Sequence, residues 1–77
     1  MRIFYGIVDE DNKYVDERCI SYDSILKKYC YKSYDSYKNM ILIDNTYDQA
    51  VNTIAIIMDN CIKANIHKTF KVVTINI

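Results

Sequence analysis

The stretch TYDQAVNTIAIIMDNCIKAN, residues 46 to 65, gives the strongest folding signal in the chain. Its apolar side chains recur at three- and four-residue steps, which predicts an amphipathic α-helix. Thr46 followed by Gln49 matches a capping box, and Asn65 suits a left-handed cap at the other end. The apolar positions are Tyr47, Ala50, Val51, Ile54, Ala55, Ile57, Met58, Cys61 and Ile62. They cover about half of the helix circumference, more than the stripe of about 100° that a surface helix needs. One side is therefore expected to cover a sheet, and the other to meet a second helix or another chain.

Strands are predicted before and after this helix. Residues 39–43, NMILI, are short and apolar on both faces, which is typical of a buried strand, and residues 68–77, KTFKVVTINI, contain few strand breakers. Short connections around a helix favour a right-handed βαβ unit. The strands at 39–43 and 69–76 are therefore predicted to be parallel.

The N-terminal third of the chain predicts a β-hairpin. Residues 2–8, RIFYGIV, carry apolar side chains at both odd and even positions, and therefore on both faces of a strand. This pattern suits an interior strand. The polar residues 9–12, DEDN, form a turn, and residues 13–19 return as a shorter antiparallel strand. Charges in that returning strand favour an edge position.

In the segment SYDSILKKYCYKSYDSYK, residues 21–38, apolar side chains recur at three- and four-residue steps, as in a helix. Ser21 suits an N-cap and Asp23 the first turn of a helix that ends near Lys32. The apolar side chains that share one face of this helix are Tyr22, Ile25, Leu26, Tyr29 and Cys30. The predicted fold class is thus α/β, or α+β, with a small four-stranded mixed sheet. The element order is β-β-α-β-α-β, and two helices pack on the sheet.

Composition limits the classes of protein that the chain can belong to. A chain of 77 residues is expected to form a single domain, 1–77, near the lower size limit for a stable core, so a homo-oligomer, a dimer or larger, is expected. The formal net charge of zero argues against a dedicated duplex-binding domain. No apolar run is long enough for a membrane span, and no signal-peptide pattern precedes the first strand. A cytoplasmic location without a membrane partner is expected.

Residue sets that carry catalysis or bind metals are sparse in the sequence. Three cysteines without C-x-x-C spacing suit reduced, packed thiols, and no metal site or cofactor is expected. A Cys61/His67 dyad is conceivable, but Cys61 belongs to the apolar arc of the long helix, so a packed thiol is favoured. Gly6, the only glycine, is read as relief of local crowding in a strand rather than as a ligand contact. An enzyme is therefore not expected.

One surface stands out as a candidate binding site. On the predicted helix at residues 21–32, Tyr31 lies opposite the apolar stripe, among lysines. Aromatic side chains interleaved with basic ones serve protein interfaces and single-stranded nucleic acids, and a solvated cation–π cluster is the competing interpretation. The candidate ligand- or partner-binding residues are Lys27, Lys28, Tyr31, Lys32, Tyr34 and Tyr37. Ile56, an apolar residue on the polar face of the long helix, is a candidate for self-association.

The sequence is compatible with three functions. The first is a non-catalytic small binding protein, an accessory or anti-defence factor of a phage or virus that inhibits a host protein. Its viral origin is inferred from the small size and from the abundance of residues encoded by A/T-rich codons. The second is a homo-oligomer that sequesters a small anionic ligand such as a nucleotide signal. The third is a protein that binds single-stranded nucleic acid.

Overall fold

The computed structural model describes residues 2–39 and 44–77 of the chain. It is a small α+β structure that contains, in these two ranges, five strands in two sheets and one α-helix. The elements are β1 (Ile3–Asp9), β2 (Tyr14–Val15), β3 (Ile20–Asp23), β4 (Lys28–Tyr31), a short 3-10 helix (Tyr37–Asn39), α1 (Tyr47–Ala64) and β5 (Phe70–Asn76).

β1 is the central strand of the larger sheet. It pairs antiparallel with β2 on one side and with β5 on the other, in the order β2-β1-β5. The interior position predicted for this strand is therefore confirmed. Gly6 lies opposite Val73 of β5, and a Cβ atom at Gly6 would lie 2.7 Å from the Cδ1 of Ile75. Gly6 thus relieves crowding against a side chain of the neighbouring strand.

The turn between β1 and β2 is organised by Asp9. Its Oδ1 accepts hydrogen bonds from the backbone amides of Asp11 at 2.9 Å and Lys13 at 3.0 Å. Asn12 adopts a left-handed φ of 60°, which asparagine tolerates. The returning strand has only the two residues of β2, since Asp16 then forms a second turn in which its Oδ1 accepts from the amide of Arg18. The antiparallel hairpin is confirmed, with a shorter second strand than predicted.

α1 begins and ends as its sequence predicts. The Oγ1 of Thr46 accepts from the amide of Gln49 at 3.2 Å, and the Oε1 of Gln49 accepts from the amide of Asn45 at 3.0 Å. At the other end Asn65 is left-handed, and its amide and that of Ile66 bond to carbonyls of the last turn. This is the hydrogen-bond pattern of a Schellman motif. Side chains from β1, β2, α1 and the β2–β3 connection meet in the core, whose buried cluster is Ile7, Val15, Cys19, Ile57 and Cys61.

The predicted helix at residues 21–32 is wrong. These residues form a β-hairpin in which β3 and β4 pair antiparallel, with Tyr22 opposite Tyr29. The predicted two-helix packing is therefore replaced, in the described residues, by one helix and a separate two-stranded sheet. The physical reason is that tyrosine and cysteine occur in strands as well as in helices. Contacts between the side chains of β3 and β4 then stabilise the hairpin over the helix.

The predicted four-stranded mixed sheet is not matched either. Within residues 2–39 and 44–77, the larger sheet has three strands, all antiparallel, because β5 pairs with β1. Of the strand predicted at 39–43, residues 40–43 lie outside the described residues, and Asn39 ends the short 3-10 helix. The predicted parallel pairing of that strand with residues 69–76 also lies outside the part of the chain that the structure describes.

Candidate functional site

The β3–β4 hairpin has an ordered turn at its tip, residues 24–27. The Oδ1 of Asp23 accepts hydrogen bonds from the amides of Ile25 at 2.9 Å and Leu26 at 3.0 Å. Lys27 completes the turn with a left-handed φ of 54°. Below the turn, the rings of Tyr22 and Tyr29 pack edge to face with centroids 5.1 Å apart. The tip is thus fixed by local hydrogen bonds and by one cross-strand aromatic pair.

Exposure increases along the hairpin from its base to its tip. At the base, Ile20 and Tyr31 pack against the core cluster. At the tip, Ile25 is 90% exposed and Leu26 is 60% exposed. The molecule measures 44 × 21 × 19 Å along its principal axes. The hairpin therefore holds two large aliphatic side chains in solvent at its tip.

Tyr31 anchors the base of the hairpin to the central sheet. Its hydroxyl donates a 2.8 Å hydrogen bond to the Oδ2 of Asp9, whose side chain is almost completely buried. The ammonium of Lys68 lies 4.9 Å from the centroid of the Tyr31 ring. The amide of Lys32 donates to the carbonyl of Cys19 at 2.7 Å and closes the base. The orientation of the hairpin is thus set by contacts with both β1 and the segment before β5.

The electrostatics of this anchor follow from burial and hydrogen bonding. Burial by itself would raise the pKa of the Asp9 carboxyl. The hydroxyl of Tyr31, the amides of Lys13 and Asp11 and the nearby charge of Lys68 together lower that pKa below its ordinary value of 3.8. Burial, and then the bond to Asp9, raise the pKa of Tyr31. Asp9 is therefore a buried carboxylate stabilised by its donors, and Tyr31 stays protonated as one of them.

The candidate binding residues from the sequence do not share one face. Tyr31 is half-buried against the core, contrary to the prediction that it lies among exposed lysines, because that prediction depended on the helix. Lys27 and Lys28 are exposed at the tip of the hairpin, whereas Lys32 lies beside β2, with its ammonium 5.3 Å from the centroid of the Tyr34 ring.

The two remaining candidate tyrosines lie next to β2. Tyr34 pairs through its backbone with Tyr14, with hydrogen bonds of 2.7 and 2.8 Å. The ring of Tyr37 packs edge to face against the ring of Tyr14. Of the original set, only Lys27 and Lys28 therefore lie at the exposed tip.

Sequence reasoning missed Ile25 and Leu26 as candidate site residues. The sequence pattern places both on the apolar stripe of a helix that does not form. The available signal was Asp23, since an aspartate that bonds to the amides two and three residues later organises turns as well as helix starts.

A second exposed apolar surface lies on α1, and we call it the α1 stripe. It consists of Tyr47, Val51, Ala55, Met58 and Ile62, all of them exposed. Ile62 is 77% exposed and Tyr47 is 57% exposed. Ile56 is also half-exposed, but it lies about 140° around the helix from the middle of the stripe. Of the half-circumference apolar arc predicted for this helix, the side with Ala50, Ile57 and Cys61 is buried and the side with the α1 stripe is exposed.

An open depression of about 380 Å³ lies beside the C-terminal end of α1. Its lining includes Cys61 and His67 as well as Glu10 and Lys68. Burial raises the pKa of the Cys61 thiol, although the charge of Lys68 opposes this, and only 4% of Cys61 is exposed. The thiol of Cys61 is therefore a weak nucleophile that packs in the core.

The comparisons with known proteins find no relative. No family model matches the sequence, and the searches of curated proteins and of solved structures find no match. Within residues 2–39 and 44–77, no helix is long and apolar enough to cross a membrane. Within the same ranges, no three histidine, cysteine or acidic side chains are grouped so that they could hold a metal ion.

Proposed function

We propose that the protein is a non-catalytic binding protein that docks on a partner protein through the tip of the β3–β4 hairpin. The observation that carries the proposal is the exposure of Ile25 and Leu26 on a turn held by Asp23. A single exposed apolar residue is ordinary. Here two adjacent aliphatic side chains are exposed on one ordered turn. Complete burial of each against a partner would contribute about 1.5–3 kcal/mol to a complex.

The order of the tip favours binding for a second reason. Association loses free energy when loops and side chains become fixed at an interface. Here the hydrogen bonds to Asp23 and the packing of Tyr22 on Tyr29 already fix the turn. Less conformational entropy is therefore lost when the tip enters a pocket.

The charge of the tip indicates the chemistry of the partner. Lys27 and Lys28 follow the aliphatic pair and are exposed, whereas the carboxylate of Asp23 accepts hydrogen bonds within the turn. A matching surface is an apolar pocket with an acidic rim, where the lysines add association rate and specificity. If the chain is of viral origin, as its composition suggests, the partner is a host protein.

The nucleotide and single-stranded nucleic-acid hypotheses lose much of their support. Both used Tyr31 as the stacking platform next to the lysines. Its hydroxyl is bonded to Asp9 and its ring packs against the core, so it does not present a free face with the tip lysines. Tyr22 and Tyr29 are exposed on the same hairpin as the tip lysines, but their rings pack against each other. We propose neither function.

The experiment compares three forms of the affinity-tagged protein in its natural host cell. These are the wild type, the double variant Ile25→Ser/Leu26→Ser, and the control Ile56→Ser, which alters a half-exposed isoleucine elsewhere. Quantitative mass spectrometry measures the proteins that co-purify with each form. We expect the wild type and the control to recover the same partner, and the double variant to lose it. Equal recovery by all three forms, or no partner above background with the wild type, would contradict the proposal.

A further inference from the structure

The α1 stripe is an apolar surface that residues 2–39 and 44–77 leave largely exposed, although the ring of Tyr47 packs edge to face against that of Tyr5. Its five residues, at positions 47, 51, 55, 58 and 62, fall within an arc of about 80° on a helix of 3.6 residues per turn. The neighbouring arc, with Ala50, Ile57 and Cys61, is buried in the core. An apolar surface on this scale, beside the core and not scattered over the polar face, is typical of an interaction site.

The chain exposes somewhat more area than the average compact monomer of its mass. A folded monomer of this mass, 9.1 kDa, is expected to expose about 4,900 Å². This chain exposes 5420 Å². Chains of this size bury too little apolar surface for large stability, and oligomerisation is a common remedy.

We propose that the α1 stripe binds a second copy of this chain, with the two α1 helices packed antiparallel across a two-fold axis. From Val51 to Ile62 the stripe residues follow steps of four, three and four, which is the spacing of a seam between paired helices. In an antiparallel pair, Val51 meets Ile62 of the second copy, and Ala55 meets Met58 of the second copy. The stripe is thus complementary to itself in size, because its smallest residue faces a long and flexible one.

Charge complementarity favours the antiparallel direction over the parallel one. Asp48 is in the first turn of α1 and Lys63 is in the last. Antiparallel packing brings Asp48 of one copy beside Lys63 of the other, and it also opposes the two helix macrodipoles. Lys63 already forms an exposed pair with Asp59 at 3.1 Å, which holds its ammonium on the polar side of the seam. A parallel pair would place like charges together at both ends.

This inference is independent of the proposed function, because the α1 stripe and the hairpin tip share no residue. It also differs from self-association through Ile56, which lies on the other side of α1. A dimer formed through the stripe carries two hairpin tips. It therefore allows bivalent binding to a partner that offers two sites within reach.

The test measures the mass of the purified protein in solution across a concentration series, by sedimentation velocity and native mass spectrometry. Ala55→Glu places a carboxylate in the seam while keeping a strong helix former, and Ile56→Glu is the matched control on the neighbouring residue. We expect the wild type and the control to be dimers, and the dissociation constant of Ala55→Glu to rise by more than about tenfold. Ile62→Glu, at a position that is 77% exposed, provides a second seam variant that should not disturb the fold of the subunit.

The possible results separate the alternatives. A monomeric wild type overturns the proposal, as does a dimer that both seam variants leave intact. Loss of the dimer in Ile56→Glu alone would assign the interface to the opposite side of α1. Loss of the dimer in the hairpin variant Ile25→Ser/Leu26→Ser, with intact dimers in the seam variants, would assign it to the tip. Both proposals are supported if the seam variants lose the dimer but keep the partner, and the hairpin variant loses the partner but keeps the dimer.

Discussion

Replacing Tyr31 by phenylalanine tests whether the hairpin is anchored to the central sheet as described. The substitution removes the 2.8 Å hydrogen bond to the Oδ2 of Asp9 and keeps the ring that packs on the core. Because Asp9 is only 2% exposed, water does not readily replace the lost donor. A hydrogen bond to a charged group contributes about 1.5–3 kcal/mol. We therefore expect the free energy of unfolding to fall by about 2 kcal/mol at neutral pH, near the middle of that range. A change of this size lowers the melting temperature of a small domain by about 8–16 °C.

The effect of this substitution should depend on pH. The pKa of folded Asp9 lies below its ordinary value of 3.8. Its contribution to stability is therefore complete above that value and is lost as the pH falls through the folded pKa. Once Asp9 is protonated, the bond to Tyr31 is a neutral one, worth about 0.5–1.5 kcal/mol. The difference between wild type and Tyr31→Phe should accordingly be largest at pH 7 and should shrink below about pH 4.

Urea unfolding at a series of pH values, followed by circular dichroism, measures both quantities. Tyr29→Phe is the matched control, because Tyr29 lies on the same strand and is half-exposed, and its effect should stay within about 0.5 kcal/mol. A loss of less than about 0.5 kcal/mol in Tyr31→Phe at pH 7 would refute the anchor. A loss that does not change with pH would refute the assignment of Asp9 as the charged acceptor.

Three further measurements test other parts of the fold. Gly6→Ala should lower the free energy of unfolding by about 1 kcal/mol, because the new Cβ meets the terminal methyl of the buried Ile75 side chain, which must shift. An unchanged denaturation midpoint would contradict the view that Gly6 relieves crowding. Asn65→Ala should cost about 1 kcal/mol in the same assay, since alanine tolerates the left-handed cap poorly, and Asn65→Gly is the control that should restore stability. In native protein, half-buried Cys30 should react first with a thiol reagent. Burial raises the pKa of the Cys19 thiol to about 12, so Cys19 should stay unreactive. Mass spectrometry of the labelled peptides checks this order.

The sequence predicts an element well where several independent patterns all indicate the same secondary structure. For α1, the apolar period, the Thr46–Gln49 cap and the cap at Asn65 all indicate a helix with the same ends. β1 and β5 are long runs of β-branched and aromatic residues. Gly6 was correctly read as a residue that relieves crowding, since a glycine inside a strand has few other structural uses.

The hairpin at residues 20–31 could not be assigned from local sequence because its signals are ambiguous. A side chain that accepts from the amides two and three residues later, as Asp23 does, is the pattern of a helix N-cap and also of a turn. Tyr22 and Tyr29 are seven residues apart, which places them on one face of a helix and also opposite each other in this hairpin. Tertiary contacts decide between the two, above all the bond from Tyr31 to Asp9, which joins residues far apart in the chain.

The same ambiguity explains the errors in the candidate site. A helical repeat at residues 21–32 places Tyr31 on the surface and Ile25 and Leu26 in the interior, whereas the hairpin does the reverse. The exposure of the α1 stripe was foreseen only as an alternative, because the second helix expected to cover it was the one that does not form.

Photo-crosslinking from the hairpin tip is the most direct test of the claim that this protein acts by binding a partner there. A photoreactive amino acid is placed at Ile25 in one form and at Ile56 in another, and each form is irradiated in the natural host cell. We predict one discrete crosslinked protein from position 25, absent from position 56 and suppressed by an excess of wild-type protein. No discrete product from position 25, or the same products from both positions, would contradict the account.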